Sequence, residues 1–382
     1  MFRYFPTNYV WSLSVGIAMN CGGQIGEIDQ ICAPLVDAAR DGDDAGTEKF
    51  FRSWCDFADG LVRQAEQDVA EGHPLSAAAR YSRASVYYLV AERMQSRHYT
   101  PREAAYRKSV EACRLAIEHG GERAEFVEVP YEGASYPALF VPAEGEPPAG
   151  GYPVMVFCNG LDSMKEMLFR LGLPHQLARR GIATLCVDQP GTGASLRERG
   201  LHAVHDSERW ASAAVDYLET RPDVDATRIG MSGVSLGGYY APRAAAFEKR
   251  FKICAVWGAN YNWGELQKRR LQREGENPVP HYWDHVQWVF GKDSLEDFMA
   301  FAPSMTLDGV VERITVPFLV THGEDDRQIP MEFAVPQYEN AVGSPDRHFK
   351  VFTRAEGGSS HAGADNEAVP AHYIADWVAD RL

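Results

Sequence analysis

The sequence feature that most constrains the fold is a five-residue motif, Gly-Val-Ser-Leu-Gly, at residues 233–237. It matches the Gly-x-Ser-x-Gly pattern of a sharp turn that joins a buried strand to a helix and holds its serine in strained backbone geometry. The glycines keep the turn free of side chains that would clash. The flanks fit, because residues 229–231 resemble a short buried strand and residues 239–247 an alanine-rich helix. Such a turn projects the Ser235 hydroxyl outward; the alternative is an ordinary serine in a glycine-rich turn.

Short apolar segments alternate with helical patterns over the C-terminal two thirds of the chain. The first two, 124–129 and 136–141, are predicted to pair as an antiparallel hairpin. Further strands are predicted at 154–157, 183–187, 229–231, 253–257, 316–320 and 348–352, and helices at 167–179, 207–220, 239–247, 331–341 and 370–382. This alternation indicates an α/β fold, with a mostly parallel sheet covered by helices on both faces. In such sheets the chemistry lies at the carboxyl ends of the strands.

The N-terminal third has only helical patterns. Helices are predicted at 11–19, 25–39, 47–72, 75–94 and 100–120, with a loop at 41–46. The predicted organisation is therefore an all-helical, cap-like domain at residues 1–121 followed by an α/β domain at residues 122–382.

An aromatic-rich insertion at about 258–312 interrupts the α/β alternation after the sixth strand. Trp257, Tyr261, Trp263 and Trp283 are its candidate pocket residues. They would line a pocket for a flat, apolar small-molecule substrate, or alternatively pack against the helical domain.

Charge and cysteine usage exclude several classes of partner and compartment. The net charge of −15 argues against binding to nucleic acid or to an anionic membrane, which requires clusters of lysine and arginine. Seven scattered cysteines indicate reduced thiols in a cytoplasmic protein. No segment has the roughly 20 apolar residues of a membrane span, and the apolar segment at 10–19 is too short and interrupted for a signal peptide. A homodimer remains open.

A serine hydroxyl becomes nucleophilic only when a base takes its proton and a carboxylate orients that base. With this topology the chain order is serine, acid, histidine. The loop at 320–330 supplies Asp326, with Asp325 as the alternative acid. His361 lies between the last strand and the last helix, where the base is expected. His322 precedes the acid and is expected to shape its loop.

The developing oxyanion needs two backbone N–H donors. The sequence predicts one from Leu236, directly after the serine. The other is expected from the loop at 159–162, where Leu161 is favoured and Gly160 is the alternative.

Two weaker patterns carry no cofactor or metal prediction. The segment 188–193, Asp-Gln-Pro-Gly-Thr-Gly, lacks the lysine and spacing of a phosphate loop and is interpreted as a structural turn. His281 and His285 are four residues apart, but no glutamate stands in the metalloprotease position. We therefore expect neither a cofactor nor a metal.

Taken together, the serine motif, the 323–330 acid loop and the 359–363 histidine loop resemble those of the α/β-hydrolase superfamily. The segments 159–166 and 188–193 and an N-terminal helical domain with Phe-Pro-Thr-Asn-Tyr-Val-Trp-Ser at 5–12 add a narrower resemblance. They are similar to the group of 2,6-dihydroxypseudooxynicotine hydrolase, fungal polyketide-shortening hydrolases and FrsA-like esterases. That resemblance implies an active site between the two domains and a catalytic glutamate shortly after the sixth strand, for which Glu265 is the nearest match.

The resemblance implies hydrolysis of a C–C bond beside a ketone in an aromatic or polyketide-like substrate, through an acyl-enzyme. Ester or lactone hydrolysis is the alternative, since the same three residues serve both reactions. Acyl transfer or cyclisation, and a non-catalytic partner-binding role, are the remaining hypotheses.

Overall fold

The computed structural model describes residues 1–41 and 46–382, and the chain forms two compact units. The helical unit comprises Met1–Ala124 and Asn277–His285, and the sheet unit comprises Glu125–Glu276 and Val286–Leu382. The division lies three residues beyond the predicted boundary at 121. Part of the predicted insertion, including Trp283, groups with the helical unit. Positions 42–45 of the predicted 41–46 loop lie outside the described residues.

The described helices of the helical unit are α1 (Tyr9–Asn20), α2 (Ile25–Cys32), α3 (Thr47–Ala70), α4 (Pro74–Arg93) and α5 (Pro101–Gly120). Trp54 of α3 lies in the core, 5.5 Å from the ring of Phe50 and 5.4 Å from that of Tyr87. The helix predicted at 25–39 ends early. Pro34 lacks the amide hydrogen that would continue it, and a 3₁₀ turn follows at Ala33–Leu35.

The segment Asn277–His285 joins the helical unit through polar contacts with the end of α4. Arg93 donates a hydrogen bond to the carbonyl oxygen of Pro278 at 3.1 Å. The carboxylate of Asp284 pairs with Arg97 at 3.0 Å and accepts from Ser96 at 3.1 Å. Charged and backbone groups therefore fix this segment, which explains why apolar periodicity did not reveal it.

The sheet unit contains an eight-stranded sheet in the order β1-β2-β4-β3-β5-β6-β7-β8. The strands are β1 (Glu125–Tyr131), β2 (Ala134–Val141), β3 (Tyr152–Cys158), β4 (Ala183–Val187), β5 (Val224–Val234), β6 (Phe251–Trp257), β7 (Phe318–Gly323) and β8 (Arg347–Phe352). β1 and β2 form the predicted antiparallel hairpin, and the strands from β3 to β8 pair in parallel. The predicted α/β fold with a mostly parallel sheet is confirmed.

The strand order reverses direction beside β3, where the chain first adds β4 on one side and then β5 on the other. In an open parallel sheet, the loops at the carboxyl ends of the strands separate at such a switch point and leave a crevice for a ligand. The loop after β3 and the serine turn after β5 flank this point. The topology therefore brings together the two segments that were predicted to bind the oxyanion.

The remaining helices are α6 (Lys165–Arg170), α7 (Leu173–Ala178), α8 (Gly193–Arg197), α9 (Glu208–Glu219), α10 (Gly237–Phe247), α11 (Trp263–Leu271), α12 (Tyr282–Val289), α13 (Leu295–Phe301), α14 (Val335–Glu339) and α15 (Ala368–Ala379). The helix predicted at 167–179 is two helices, because Gly172 takes a left-handed φ of 81° between α6 and α7. The helix predicted at 331–341 is reduced to α14 after a 3₁₀ turn. Within the described part of the chain, no helix combines the length and apolarity needed to cross a membrane.

The Glu367 carboxyl, just before α15, is expected to make the stability of the folded protein depend on pH. Its Oε2 has no hydrogen-bond partner among the described residues, and burial raises the pKa of the carboxyl to about 8. The ordinary pKa of a glutamate is about 4.3. Between that pH and about pH 8, the folded protein keeps a proton on Glu367 that the unfolded chain has released. The free energy of unfolding therefore falls as pH rises. We expect Glu367→Gln to remove this fall and to be about 2 to 4 kcal/mol more stable than wild type near pH 8.

Urea unfolding at pH 5 and pH 8 measures this effect. The matched control is Glu296→Gln, the same substitution at an exposed position, which should follow the wild-type pH dependence. If Glu367→Gln followed it too, the carboxyl would be ionised in the folded protein and the prediction would be wrong.

Candidate active site

Ser235 sits on a sharp turn between β5 and α10 with φ of 59°, a left-handed value that is rare for a residue with a side chain. Its amide donates to the carbonyl oxygen of Trp257 at 2.9 Å, which ties the turn to the end of β6. The neighbouring glycines are required by space. A Cβ on Gly233 would lie 2.3 Å from the carbonyl oxygen of Gly237, and one on Gly238 would lie 2.0 Å from that of Gly258. The motif thus has the geometry of a nucleophile elbow.

Three residues from separate loops form a continuous hydrogen-bonded chain. The Oγ of Ser235 lies 2.8 Å from Nε2 of His361, which follows β8. The Nδ1 of His361 lies 2.7 Å from Oδ2 of Asp326, which follows β7. The structure therefore brings together the predicted serine, base and acid in the order that proton transfer from the serine requires.

The Asp326 carboxylate is buried and held on both oxygens. Its Oδ1 accepts hydrogen bonds from the amides of Gln328 and Ile329 at 2.8 and 2.9 Å. Burial opposes ionisation, but the charge and hydrogen bond of His361, with help from His322 and the Ile329 amide, outweigh it and lower the pKa of Asp326. The carboxylate is thus ionised at neutral pH and can orient His361 through Nδ1–H.

The rival residues of the acid loop have other partners. Asp325 pairs with Arg354 at 2.5 Å and accepts from the Ser359 hydroxyl at 3.0 Å. His322 is buried, and its Nε2 donates to the carbonyl oxygen of Ile329 at 2.9 Å, so it shapes the acid loop as expected. Burial lowers the pKa of His322 and favours the neutral ring.

The loop after β3 runs directly beside Ser235. A Cβ on Gly160 would lie 3.0 Å from the Ser235 Cβ and 3.4 Å from its Oγ. The Gly160 amide donates to the Ser163 hydroxyl at 3.1 Å, so it already has a partner. The amides of Leu161 and Leu236 make no hydrogen bond to any described residue. This geometry favours Leu161 over Gly160 as the second oxyanion donor.

Ser163 is a site residue that the motifs did not reveal. Its hydroxyl accepts from the Gly160 amide and donates to Oδ1 of Asn159 at 2.7 Å. The available signal was its position, since serine four residues after asparagine in a short loop is suited to bonding the loop to itself. Ser163 therefore occupies the Gly160 amide and leaves the next one free.

Glu265 lies shortly after β6, the sixth strand, where the resemblance placed its glutamate. It lies in the first turn of α11 with its side chain 41% exposed, near Lys268 and Arg269 at 3.8 and 3.7 Å. These two cations lie one helical turn away, and such partly exposed ion pairs contribute little to stability. A catalytic role for Glu265 stays a prediction.

The predicted pocket aromatics have separate structural roles. Trp263 is buried against Phe290 and Phe298, with ring centroids 5.1 and 5.7 Å away, so it fills a local core. The Tyr261 hydroxyl donates to Asp308 at 3.2 Å and accepts from Asn340 at 2.9 Å.

The remaining two predicted pocket aromatics also have defined places. Trp257 ends β6 and is buried, and its carbonyl oxygen holds the Ser235 amide. Trp283 packs edge-on against Tyr282 in the helical unit. Trp257 thus contacts the serine turn directly through its carbonyl oxygen.

Over residues 1–41 and 46–382, no group of three or more His, Cys, Asp or Glu side chains is arranged to hold a metal ion.

An eight-stranded, mostly parallel sheet with a serine elbow after β5, an acid after β7 and a histidine after β8 defines an α/β hydrolase. Comparison with known proteins agrees with this class and narrows it. The chain belongs to the FrsA-like esterase family, whose model, described as "Esterase FrsA-like", matches residues 51–269. The model of the prolyl oligopeptidase family matches residues 174–380.

Two relatives align over most of the chain. Hydrolase LUC6 of a Fusarium species is 28% identical over 99% of this chain and 97% of its own length. The 2,6-dihydropseudooxynicotine hydrolase of Paenarthrobacter nicotinovorans is 29% identical over 87% of this chain and 84% of its own length. The crystal structure of 2,6-dihydroxy-pseudo-oxynicotine hydrolase superposes with a TM-score of 0.77 at 25% identity, covering 96% of this chain and 95% of that one. The protein is therefore an enzyme, a hydrolase of the α/β type.

Proposed function

We propose that the protein is a serine hydrolase that cleaves a C–C bond beside a ketone in an aromatic or polyketide-like substrate through an acyl-enzyme. The observation that carries the proposal is the chain of hydrogen bonds from Ser235 through His361 to Asp326. Relatives named as hydrolases, one of them for an oxynicotine substrate, support hydrolysis and the substrate class. The choice of a C–C bond rests on the sequence resemblance described above.

In the first half-reaction, the Oγ of Ser235 attacks the ketone carbon and its proton passes to Nε2 of His361. Asp326 stabilises the imidazolium and keeps Nδ1 protonated. The oxyanion receives hydrogen bonds from the amides of Leu236 and Leu161, the first of them at the N-terminal end of α10. When the tetrahedral intermediate collapses, the C–C bond breaks and its electron pair leaves on carbon.

The leaving carbanion must be stabilised as an enolate or as a tautomer of a hydroxylated ring, which is why the substrate class is a β-diketone or hydroxyaryl ketone. His361 returns its proton to that carbon. Water then attacks the acyl-Ser235 ester while His361 takes its proton, and a carboxylic acid is released. One water molecule is consumed for each C–C bond cleaved, and no cofactor takes part.

Ester hydrolysis is the second candidate, and the description of the family as esterases favours it. An alkoxide or phenolate leaves more readily than a carbanion, so the same three residues would suffice without further stabilisation of the leaving group. The two reactions therefore differ in what the substrate pocket does to the leaving group.

A paired assay separates the candidates. We expect the enzyme to cleave an aryl β-diketone such as benzoylacetone to a carboxylic acid and a ketone, both detectable by chromatography. p-Nitrophenyl acetate is run beside it, and Ser235→Ala serves as the blank. Rapid ester turnover with no diketone cleavage would replace the C–C hydrolase proposal with the esterase. Failure of a fluorophosphonate probe to label Ser235 would overturn both.

A further inference from the structure

The 188–193 segment, which the sequence suggested was only a structural turn, makes direct contact with the loop beside the reactive serine. It follows β4, and β4 pairs in parallel with β3, so its first residues emerge next to the loop at residues 159–165. We call that loop the oxyanion loop. Asp188 and Gln189 are both fully buried. Buried polar side chains persist where they satisfy defined partners, and in this case the partners lie in the oxyanion loop.

Gln189 holds the start of the oxyanion loop. The Asn159 amide donates to Oε1 of Gln189 at 3.1 Å, and Nε2 of Gln189 donates to the Asn159 carbonyl oxygen at 3.0 Å. The Asn159 side chain adds a third bond, from Nδ2 to the carbonyl oxygen of Val187 at 2.7 Å. One glutamine side chain therefore satisfies both backbone groups of the residue immediately before Gly160 and Leu161.

Asp188 holds the end of the same loop. Its Oδ1 accepts from the Lys165 amide at 2.7 Å, and its Oδ2 lies 3.1 Å from the Lys165 Nζ. Oδ2 also accepts from the Ala194 amide at 2.9 Å. Gly193 leaves room for the carboxylate, because a Cβ there would lie 2.1 Å from the Asp188 Cγ. The charge, the amides and the vacant space together fix this carboxylate in one position.

The geometry points to Gln189 and Asp188 as positioning residues that fix the Leu161 amide beside Ser235 for the developing oxyanion. Gln189 holds Asn159, two residues before Leu161, and Asp188 holds Lys165, four residues after it. Between these two points, the hydrogen bond from the Gly160 amide to Ser163 stabilises the loop. This inference rests on the proposed function, because it assigns the Leu161 N–H to the oxyanion. Neither side chain is assigned a contact with substrate.

Positioning of this kind affects the transition state more than the bound substrate. The tetrahedral intermediate needs donors about 3 Å from the oxyanion, and displacement by about 1 Å can cost on the order of 100-fold in rate. Substrate binding before the attack does not depend on that distance. Loss of either anchor is therefore expected to lower kcat and to leave KM nearly unchanged.

The decisive experiment compares Gln189→Met with Gln267→Met, using p-nitrophenyl acetate as substrate. Both glutamines are fully buried in the sheet unit, but Gln267 donates instead to the carbonyl oxygen of Trp263 on α11. We expect Gln189→Met to lower kcat by about 10- to 100-fold with KM within about twofold of wild type. Its affinity for a boronic acid that forms a tetrahedral adduct should fall in parallel. Gln267→Met should retain wild-type kcat.

A second variant, Gln189→Glu, keeps the inference testable if Gln189→Met fails to fold. An ionised glutamate still accepts from the Asn159 amide but cannot donate to its carbonyl oxygen, whereas the protonated acid can. Its kcat relative to wild type should therefore rise as pH falls. Circular dichroism at each pH separates this response from unfolding, because a buried carboxyl also lowers stability as pH rises.

The outcomes separate this inference from the proposed function. If Ser235→Ala is inactive while folded Gln189→Met keeps wild-type kcat and boronate affinity, the positioning role is overturned and the serine hydrolase stands. If Ser235→Ala keeps full activity, the proposed function itself has failed. A flat pH ratio for Gln189→Glu would also contradict the positioning role.

Discussion

Replacing Ser235 with alanine is expected to lower kcat by about 10⁶-fold, the largest effect of any single substitution in this protein. The substitution removes only the hydroxyl oxygen, which lies 2.8 Å from Nε2 of His361. The remaining amides and the binding surface can still stabilise an oxyanion, but water would have to replace the serine as nucleophile. The backbone strain at φ of 59° is common to serine and alanine, so the melting temperature should stay close to that of wild type.

The matched control is Ser232→Ala, on β5 three residues before Ser235. Ser232 is fully buried, and its hydroxyl has no hydrogen-bond partner among the described residues. Removing it should leave kcat unchanged and slightly raise the free energy of unfolding, since an unsatisfied polar group leaves the core. Steady-state kinetics and thermal unfolding of both variants provide the test. Retention of activity by folded Ser235→Ala would exclude Ser235 as the nucleophile.

The core of the site was predictable because each part has a local signature. Ser235 is specified by glycines whose replacement would produce contacts near 2 Å. Asp326 and His361 follow segments whose pattern indicates strands of a parallel sheet, and the carboxyl ends of such strands meet at one edge. The sequence left Asp326 and Asp325 open. The structure separates them because only Asp326 reaches His361, while Asp325 pairs with Arg354.

The surroundings of the site were less predictable because they depend on contacts between distant segments. From the sequence alone, Trp263 could line a pocket or fill a core. Its packing against Phe290 and Phe298 shows that it fills a core. Glu265 was assigned through resemblance, and the exposure of its side chain could not be inferred from its neighbours in sequence. Likewise, buried hydrogen bonds such as those of Gln189 have no periodicity that a sequence pattern would reveal.

Asp326→Asn is expected to lower kcat by about 10⁴-fold while leaving the hydroxyl of Ser235 and the ring of His361 in place. An asparagine amide facing Nδ1 of His361 can donate where the carboxylate accepts. It therefore favours the tautomer with the proton on Nε2, which cannot take the proton of Ser235. Nor can a neutral amide stabilise the imidazolium that forms during attack.

The adjacent acid provides the control for this prediction. Asp325→Asn makes the same chemical change one residue away and breaks an ion pair with Arg354, whose side chain is 78% exposed. Because exposed pairs contribute little, this variant should keep kcat within about twofold of wild type and lose less than about 1 kcal/mol of stability. The measurement is kcat for both variants across pH 6 to 9, with circular dichroism to verify folding. If the two variants lost activity equally, the orienting acid would not be Asp326 alone, and the hydrogen bond of 2.7 Å to His361 would have no special catalytic weight.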